Sequence, residues 1–143
     1  MAVVPRAKLM ALSARYSRIG GALWWLTMVE NSTLTEWGLS LARRSAEQHF
    51  AHFLCELLVR LSRVGRAEGN SYPLPLTQEQ IADVLGLTPV HVNRTLKRLR
   101  DSGLVEMNQE RLTILDWNAF KQQAGFDPKY LHAEEVRRTA AAA

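Results

Sequence analysis

The feature that most constrains the fold is a pair of short helices joined by a tight turn, predicted within residues 77–102. The first helix begins with a capping box, because Thr77 and Gln80 lie three positions apart and each side chain can accept a hydrogen bond from the other's backbone N–H. Gly86 ends this helix, since glycine tolerates the left-handed backbone that commonly follows a last helical turn.

The second helix is predicted over residues 89–102. Thr88 supplies the N-cap oxygen, Pro89 has the backbone angle of a first helical position, and Gly103 ends the helix. Two short helices around a glycine turn are typical of a helix-turn-helix.

Apolar side chains on these two helices fall on the faces that meet each other. The inward set is Ile81, Ala82, Leu85, Leu87, Val92, Leu96 and Leu99. The outward set on the second helix is Val90, His91, Asn93, Arg94 and Lys97. A DNA groove would meet the outward set.

Positive charge is concentrated on the same helix. Residues 94–100 contain four Arg or Lys and no acid, in a chain whose formal net charge is +4. The four cations are Arg94, Lys97, Arg98 and Arg100. Such a run suits phosphate binding, but a solvated helix face can have the same composition.

A β-hairpin is predicted directly after the second helix. Residues 104–107 and 111–115 alternate apolar and polar side chains around a turn at residues 108–110. A hairpin in this position is the wing of a winged helix-turn-helix, and it favours DNA binding over a merely solvated face.

A long apolar helix is predicted at residues 22–44, after an interruption at Gly20-Gly21. Its apolar stripe consists of Leu23, Leu26, Leu34, Trp37 and Leu41. An ordinary core helix has such a stripe, but a chain of 143 residues has few surfaces to cover one this wide, so we expect the seam of a dimer. The predicted fold class is mainly α: a long dimerisation helix followed by a winged helix-turn-helix domain with a small β-hairpin wing.

Residues 45–61 predict a strongly amphipathic helix with a capping box of its own, from Ser45 to Gln48. His49 and His52 are expected on its solvated flanks, because neither an acid nor a cysteine completes a metal site beside them. Residues 72–76 can form only an edge strand or an extended arm, since two of the five are prolines.

Several function classes are disfavoured by what the sequence lacks. The single cysteine, Cys55, cannot form an internal disulfide, and no Cys or His pair has metal-ligand spacing, so we expect a cytoplasmic protein without metal or cofactor. No apolar run approaches the ~20 residues of a membrane-spanning helix. No catalytic triad, acid pair or phosphate loop stands out, and an enzyme is not expected.

Residues 76–96, LTQEQIADVLGLTPVHVNRTL, resemble the DNA-binding domain of the Crp/Fnr family of bacterial transcription regulators. The resemblance extends over nearly the whole chain. Residues 3–13 resemble the end of the family's sensor barrel with the helix after it, and residues 22–44 resemble its dimerisation helix. Residues 45–61 resemble the first helix of the DNA-binding domain, and residues 116–120 and 125–132 resemble a tail found in one branch of the family.

A division into three parts follows. Residues 1–44 are expected to be the end of the sensor domain with the dimerisation helix, residues 45–132 the winged helix-turn-helix domain, and residues 133–143 a disordered tail. We expect most of the family's N-terminal sensor barrel to be missing. We also expect the N-terminal cysteines that hold an iron-sulfur cluster in one branch of the family to be missing.

The resemblance and the hydrogen-bonding chemistry of the side chains together give site roles. The expected base-reading residues are Val90, His91, Asn93 and Arg94. The expected DNA-backbone residues are Thr77, Thr88, Lys97, Arg98 and Arg111. Two alternatives stay open: Val90 as a packing residue and His91 as a helix-start residue in water. Val90 also stands where the family often has Glu, so the usual half-site is not assumed.

The resemblance implies double-stranded DNA as a partner, bound at a palindromic site by a homodimer, with RNA polymerase as a further partner. The alternative is an interaction protein without a sensor, which pairs through residues 22–44 with a full-length relative and modulates it.

Overall fold

The computed structural model describes residues 3–132, and its mainly helical architecture confirms the predicted fold class. The helices are α1 Arg6–Arg15, α2 Ser17–Arg43, α3 Ala46–Arg63, α4 Gln78–Leu85, α5 Pro89–Asp101 and α6 Trp117–Ala124, followed by a 3-10 helix at Pro128–Leu131. The strands are β1 Ser71–Pro73, β2 Val105–Asn108 and β3 Arg111–Ile114. The predicted disordered tail at residues 133–143 lies outside the described residues.

The long helix α2 begins earlier than predicted. Gly20-Gly21 does not interrupt it; the break between α1 and α2 lies at Tyr16, whose backbone is extended. Glycine lowers helix propensity by about 1 kcal/mol without forbidding a helix. At Gly20 it also permits close packing, because a Cβ there would lie 3.3 Å from the backbone oxygen of Ser13 in α1.

Helix α3 is the centre of the core. It begins from the predicted capping box and buries an apolar face against β1, α5 and α6. The buried apolar side chains of α3 are Phe50, Ala51, Phe53, Leu54, Cys55 and Leu58.

The prediction that His49 and His52 lie on solvated flanks is wrong. Both are buried, and His52 keeps only 2% of its surface exposed. The reason is that α2 and the chain after α6 cover this flank, with Trp37 against His49 and with Phe126 and Tyr130 against His52.

The sheet is antiparallel with strand order β1-β3-β2, so β1 is an edge strand. Of the edge strand or arm predicted at residues 72–76, only the start is strand, because β1 ends at Pro73. Strands β2 and β3 form the predicted hairpin, in which Asn108 pairs with Arg111 across a two-residue turn. The wing therefore has three strands, because β1 returns from α3 to pair with β3.

The helix-turn-helix forms as predicted. Thr77 and Gln80 make the reciprocal capping bonds, Gly86 adopts the left-handed conformation at φ 63°, and Thr88 caps α5. The predicted inward residues are buried, except for Leu87 and Leu96, which are half-buried against the same core. Within the described residues, no helix is both long enough and apolar enough to cross a membrane.

Candidate nucleic-acid interface

The start of α5 is fixed by its cap. The Thr88 hydroxyl oxygen accepts a hydrogen bond from the His91 N–H at 3.3 Å, and Pro89 follows as the first helical residue. The Thr77 hydroxyl oxygen likewise accepts from the Gln80 N–H at 3.2 Å. A capping hydroxyl still has its O–H to donate, so both threonines remain able to donate to a phosphate oxygen.

Helix α5 has one buried and one open face. Val92, Thr95 and Leu99 are buried against the core. On the opposite face Val90 is 68% exposed, which makes it a surface residue rather than a packing residue. His91 lies between the two faces and is half-buried.

The open face of α5 borders a shallow concavity. Its volume is about 430 Å³, and its lining consists of Gln78, Pro89, Val90, Asn93, Arg94 and Lys97. The structure thus brings three of the four predicted base-reading residues together with the predicted backbone residue Lys97. A concave surface of this kind offers an apolar spot, two amides and two cations side by side.

Gln78 is a member of this surface that the sequence interpretation missed. Its side-chain oxygen accepts a hydrogen bond from the Asn93 side-chain amide at 3.2 Å, which links the first turn of α4 to the open face of α5. The available signal was its position: Gln78 directly follows the capping residue Thr77 at the helix-turn-helix start.

The predicted cations differ in their surroundings. Among residues 3–132, Arg94 and Lys97 form no ion pair, and both are exposed. Arg98 lies 3.6 Å from a Glu47 oxygen, and Arg111 lies 3.4 Å from a Glu68 oxygen. Exposed pairs of this kind contribute at most about 1 kcal/mol, so phosphate can compete for Arg98 and Arg111.

Most of the predicted dimer stripe is open to solvent. Leu34 is 71% exposed, Leu26 and Leu41 are exposed, and Leu23 is half-buried.

Trp37 departs from the predicted stripe because its side chain turns inward. Its indole N–H donates to Glu56 Oε2 at 2.9 Å, and its ring packs edge-on against His49 and Phe53. We therefore correct its predicted place in the seam: its contacts lie within its own chain.

Metal-ligating groups and the single cysteine are the remaining candidates for a functional site. Among residues 3–132, no group of three or more His, Cys, Asp or Glu is arranged to hold a metal ion. Burial raises the pKa of the Cys55 thiol to about 12, so the reactive thiolate is scarce at neutral pH.

Comparison with known proteins bears on the same region. The protein-family model for the Crp-like helix-turn-helix domain matches residues 48–123 of the chain. The chain is 32% identical over 113 residues to the transcriptional activator protein FnrL of Cereibacter sphaeroides, covering 76% of this chain and 46% of FnrL. It is 30% identical over 112 residues to the nitrogen fixation regulation protein FixK of Azorhizobium caulinodans, covering 78% and 45% respectively. The chain thus spans about half the length of the curated relatives it matches.

Solved structures agree with this match. The structure of FixK2 from Bradyrhizobium japonicum aligns with a TM-score of 0.72 at 25% identity, over 84% of this chain and 59% of that one. A CRP family transcriptional regulator from Thermus thermophilus shares the fold, with a TM-score of 0.57 at 19% identity, over 77% of this chain and 53% of that one.

Proposed function

The chain belongs to the Crp/Fnr family of transcription regulators, and on that premise we propose that it binds a palindromic operator in double-stranded DNA as a homodimer. The observation that carries the proposal is the open face of α5, where exposed Val90, Asn93, Arg94 and Lys97 line one concavity while the opposite face is fixed in the core. A helix held in this way can enter a major groove without rearranging.

The bases are read by Val90, Asn93 and Arg94 in the concavity and by His91 at its edge. Arg94 suits bidentate bonding to guanine, Asn93 suits adenine, and Val90 suits the methyl group of thymine. The bond between Gln78 and Asn93 holds the Asn93 amide in place before DNA arrives, which lowers the entropy lost on binding.

The phosphates are bound by Thr77, Thr88, Lys97, Arg98 and Arg111. The two threonines lie at the starts of α4 and α5, where the helix dipoles also favour a negative group. Arg111 lies in the wing, on the strand that pairs with both β1 and β2. These contacts hold the protein in register and carry little sequence information.

Two copies pair through Leu23, Leu26, Leu34 and Leu41 of α2. Exposed leucines on a long helix are covered most economically by the same stripe of a second copy, which is the two-fold arrangement a palindrome requires. The two α5 helices then enter successive major grooves with centres about 34 Å apart. Several relatives are named transcriptional activators, so we also propose RNA polymerase as a partner at the promoter, with the cytoplasm as the site of action.

Selection of bound sequences from random DNA tests the proposal. The wild-type chain is expected to enrich a palindrome, and the double variant Arg94→Ala with Lys97→Ala is expected to enrich none. The matched control is Arg15→Ala with Arg18→Ala at the junction of α1 and α2, which removes the same charge and should enrich the same palindrome. Enrichment of no sequence by the wild-type chain alone, with a DNA shift only after a full-length relative is added, would support the heterodimer alternative instead.

A further inference from the structure

Glu56 is a buried carboxylate at the meeting point of three elements. Its Oε2 accepts from the Trp37 indole N–H of α2 at 2.9 Å and from the Tyr130 hydroxyl of the 3-10 helix at 2.7 Å. Its Oε1 accepts from Arg60 Nε, one turn along α3, at 2.7 Å. We refer to Trp37, Glu56, Arg60 and Tyr130 as the Glu56 cluster.

The stability of the Glu56 cluster depends on the positions of the donors around the carboxylate. A buried carboxylate is strongly destabilising unless donors surround it, and bonds to a charged acceptor are the stronger kind. The side chain of Glu56 is only 5% exposed, so water cannot readily replace a missing donor. Because the bond from Trp37 to Glu56 joins α2 to α3, a rotation of α2 that displaces the Trp37 indole would lengthen it.

A second set of contacts ties the same elements together. Arg44, at the junction of α2 and α3, donates from Nη2 to Glu36 at 2.6 Å and to the Gly125 carbonyl at 2.9 Å. The His52 ring of α3 stacks on Tyr130, and Trp25 of α2 meets His132 edge-on. Beyond its contact with α1, helix α2 packs mainly on the 3-10 helix, so the segment at residues 125–132 bridges α2 to the rest of the domain.

We propose that the Glu56 cluster positions the DNA-binding unit, by which we mean residues 46–124 from α3 through α6, on α2 and thereby sets the spacing between the two recognition helices of the dimer. This inference rests on the proposed function, since it needs α2 in the dimer and α5 in the groove. One base pair advances the helix axis by about 3.4 Å, so a small change in the angle between α2 and α3 shifts α5 by a base pair at the operator. Glu56, Trp37 and Tyr130 are positioning residues that do not touch DNA.

The test is a spacing profile. Affinity is measured on duplexes that carry the selected half-sites with the central spacer shortened by one base pair, unchanged, or lengthened by one or two, and on a duplex with one half-site. The variants are Tyr130→Phe and Trp37→Phe, each of which removes one donor to Glu56 and keeps an aromatic ring. The matched control is Tyr72→Phe, which removes a buried hydroxyl bonded at 2.9 Å to the Leu54 carbonyl, with both partners inside the DNA-binding unit.

Wild type and Tyr72→Phe are expected to prefer one spacer. Tyr130→Phe and Trp37→Phe should lose about tenfold of that preference, the scale of one hydrogen bond to a carboxylate, while affinity for the single half-site stays unchanged. Retention of the full preference by both variants would overturn the inference, as would an equal loss in Tyr72→Phe, because a general loss of stability would then suffice. If the wild type shows no spacer preference at all, the proposed homodimer on a palindrome fails first.

Discussion

His52 is a histidine that the fold holds without charge. Burial and the nearby Arg44 lower its pKa from 6.5 to about 4, although Glu36 and Glu56 act in the opposite direction. The unfolded chain therefore binds a proton at higher pH than the folded one does. The contribution of His52 to stability is complete above about pH 6.5 and is lost as the pH falls from there toward 4.

We expect the free energy of unfolding to fall by at least about 2 kcal/mol between pH 7.5 and pH 5.0, as measured by urea titration. His49 adds to the fall, because burial and Arg44 lower its pKa as well. His52→Phe keeps a ring against Phe126 and Tyr130 and should remove about 2 kcal/mol of the dependence. An unchanged dependence in His52→Phe would show that His52 is not held neutral by the fold.

Single residues were predictable from sequence where local chemistry decides their role. The caps at Thr77 and Thr88 and the exposure of Arg94 follow from helix spacing alone. His52 and Trp37 were misplaced, because each is covered by chain that lies far away in the sequence: Tyr130 stacks on His52, and Trp37 bonds to Glu56 19 positions away. Helix periodicity gives the direction of a side chain but not what lies there.

At the scale of elements, the turn of the helix-turn-helix depends on Gly86. Its φ of 63° is in the left-handed region, which costs a residue with a Cβ roughly 1 to 2 kcal/mol. Gly86→Ala should lower the free energy of unfolding by about 1 kcal/mol in a urea titration. Gly38→Ala is the matched control, and it should raise the free energy of unfolding. Gly38 lies within α2, a Cβ there would meet open space, and alanine favours a helix more than glycine does. Equal effects of the two would contradict the left-handed turn.

The proposed dimer seam along α2 can be tested by a single substitution. Leu34→Glu should give a monomer by light scattering, because a carboxylate without a partner in an apolar seam costs several kcal/mol. Leu39→Glu makes the same change at an exposed position of α2, turned well away from Leu34 around the helix axis, and should remain a dimer. A dimeric Leu34→Glu would place the seam elsewhere.

Elements were predictable to within a few residues wherever caps mark their ends. The start of α2 was not predictable, because Gly20-Gly21 lowers helix propensity, whereas in the fold Gly20 lets α2 approach α1 at Ser13. The third strand of the wing was predicted only as an edge strand or arm. Its pairing with β3 joins residues about 40 apart, which sequence spacing does not show.

At the scale of the whole molecule, the two proposed functional faces lie on different helices of one chain. We propose that the open face of α5 reads DNA and that the leucine stripe of α2 pairs two copies. Residues 125–132 contact both α2 and α3 and so connect α2 to the DNA-binding domain. The family and the recognition unit were predictable because they rest on a contiguous segment, residues 76–96. The connection of α2 to the DNA-binding domain through residues 125–132 was not predictable, because the bonded residues Glu56 and Tyr130 lie 74 positions apart in the sequence.

The central claim is that α5 reads bases with one part of its open face and holds phosphates with another. Its most direct test is a titration of wild type, Arg94→Ala and Lys97→Ala against the selected operator and an unrelated duplex over a range of salt. Arg94→Ala should lose about 1 to 3 kcal/mol for each half-site on the operator and almost nothing on unrelated DNA. Lys97→Ala should weaken both duplexes alike and lower the slope of log affinity against log salt by about one for each phosphate that is no longer neutralised. Equal losses of Arg94→Ala on the two duplexes would contradict the claim.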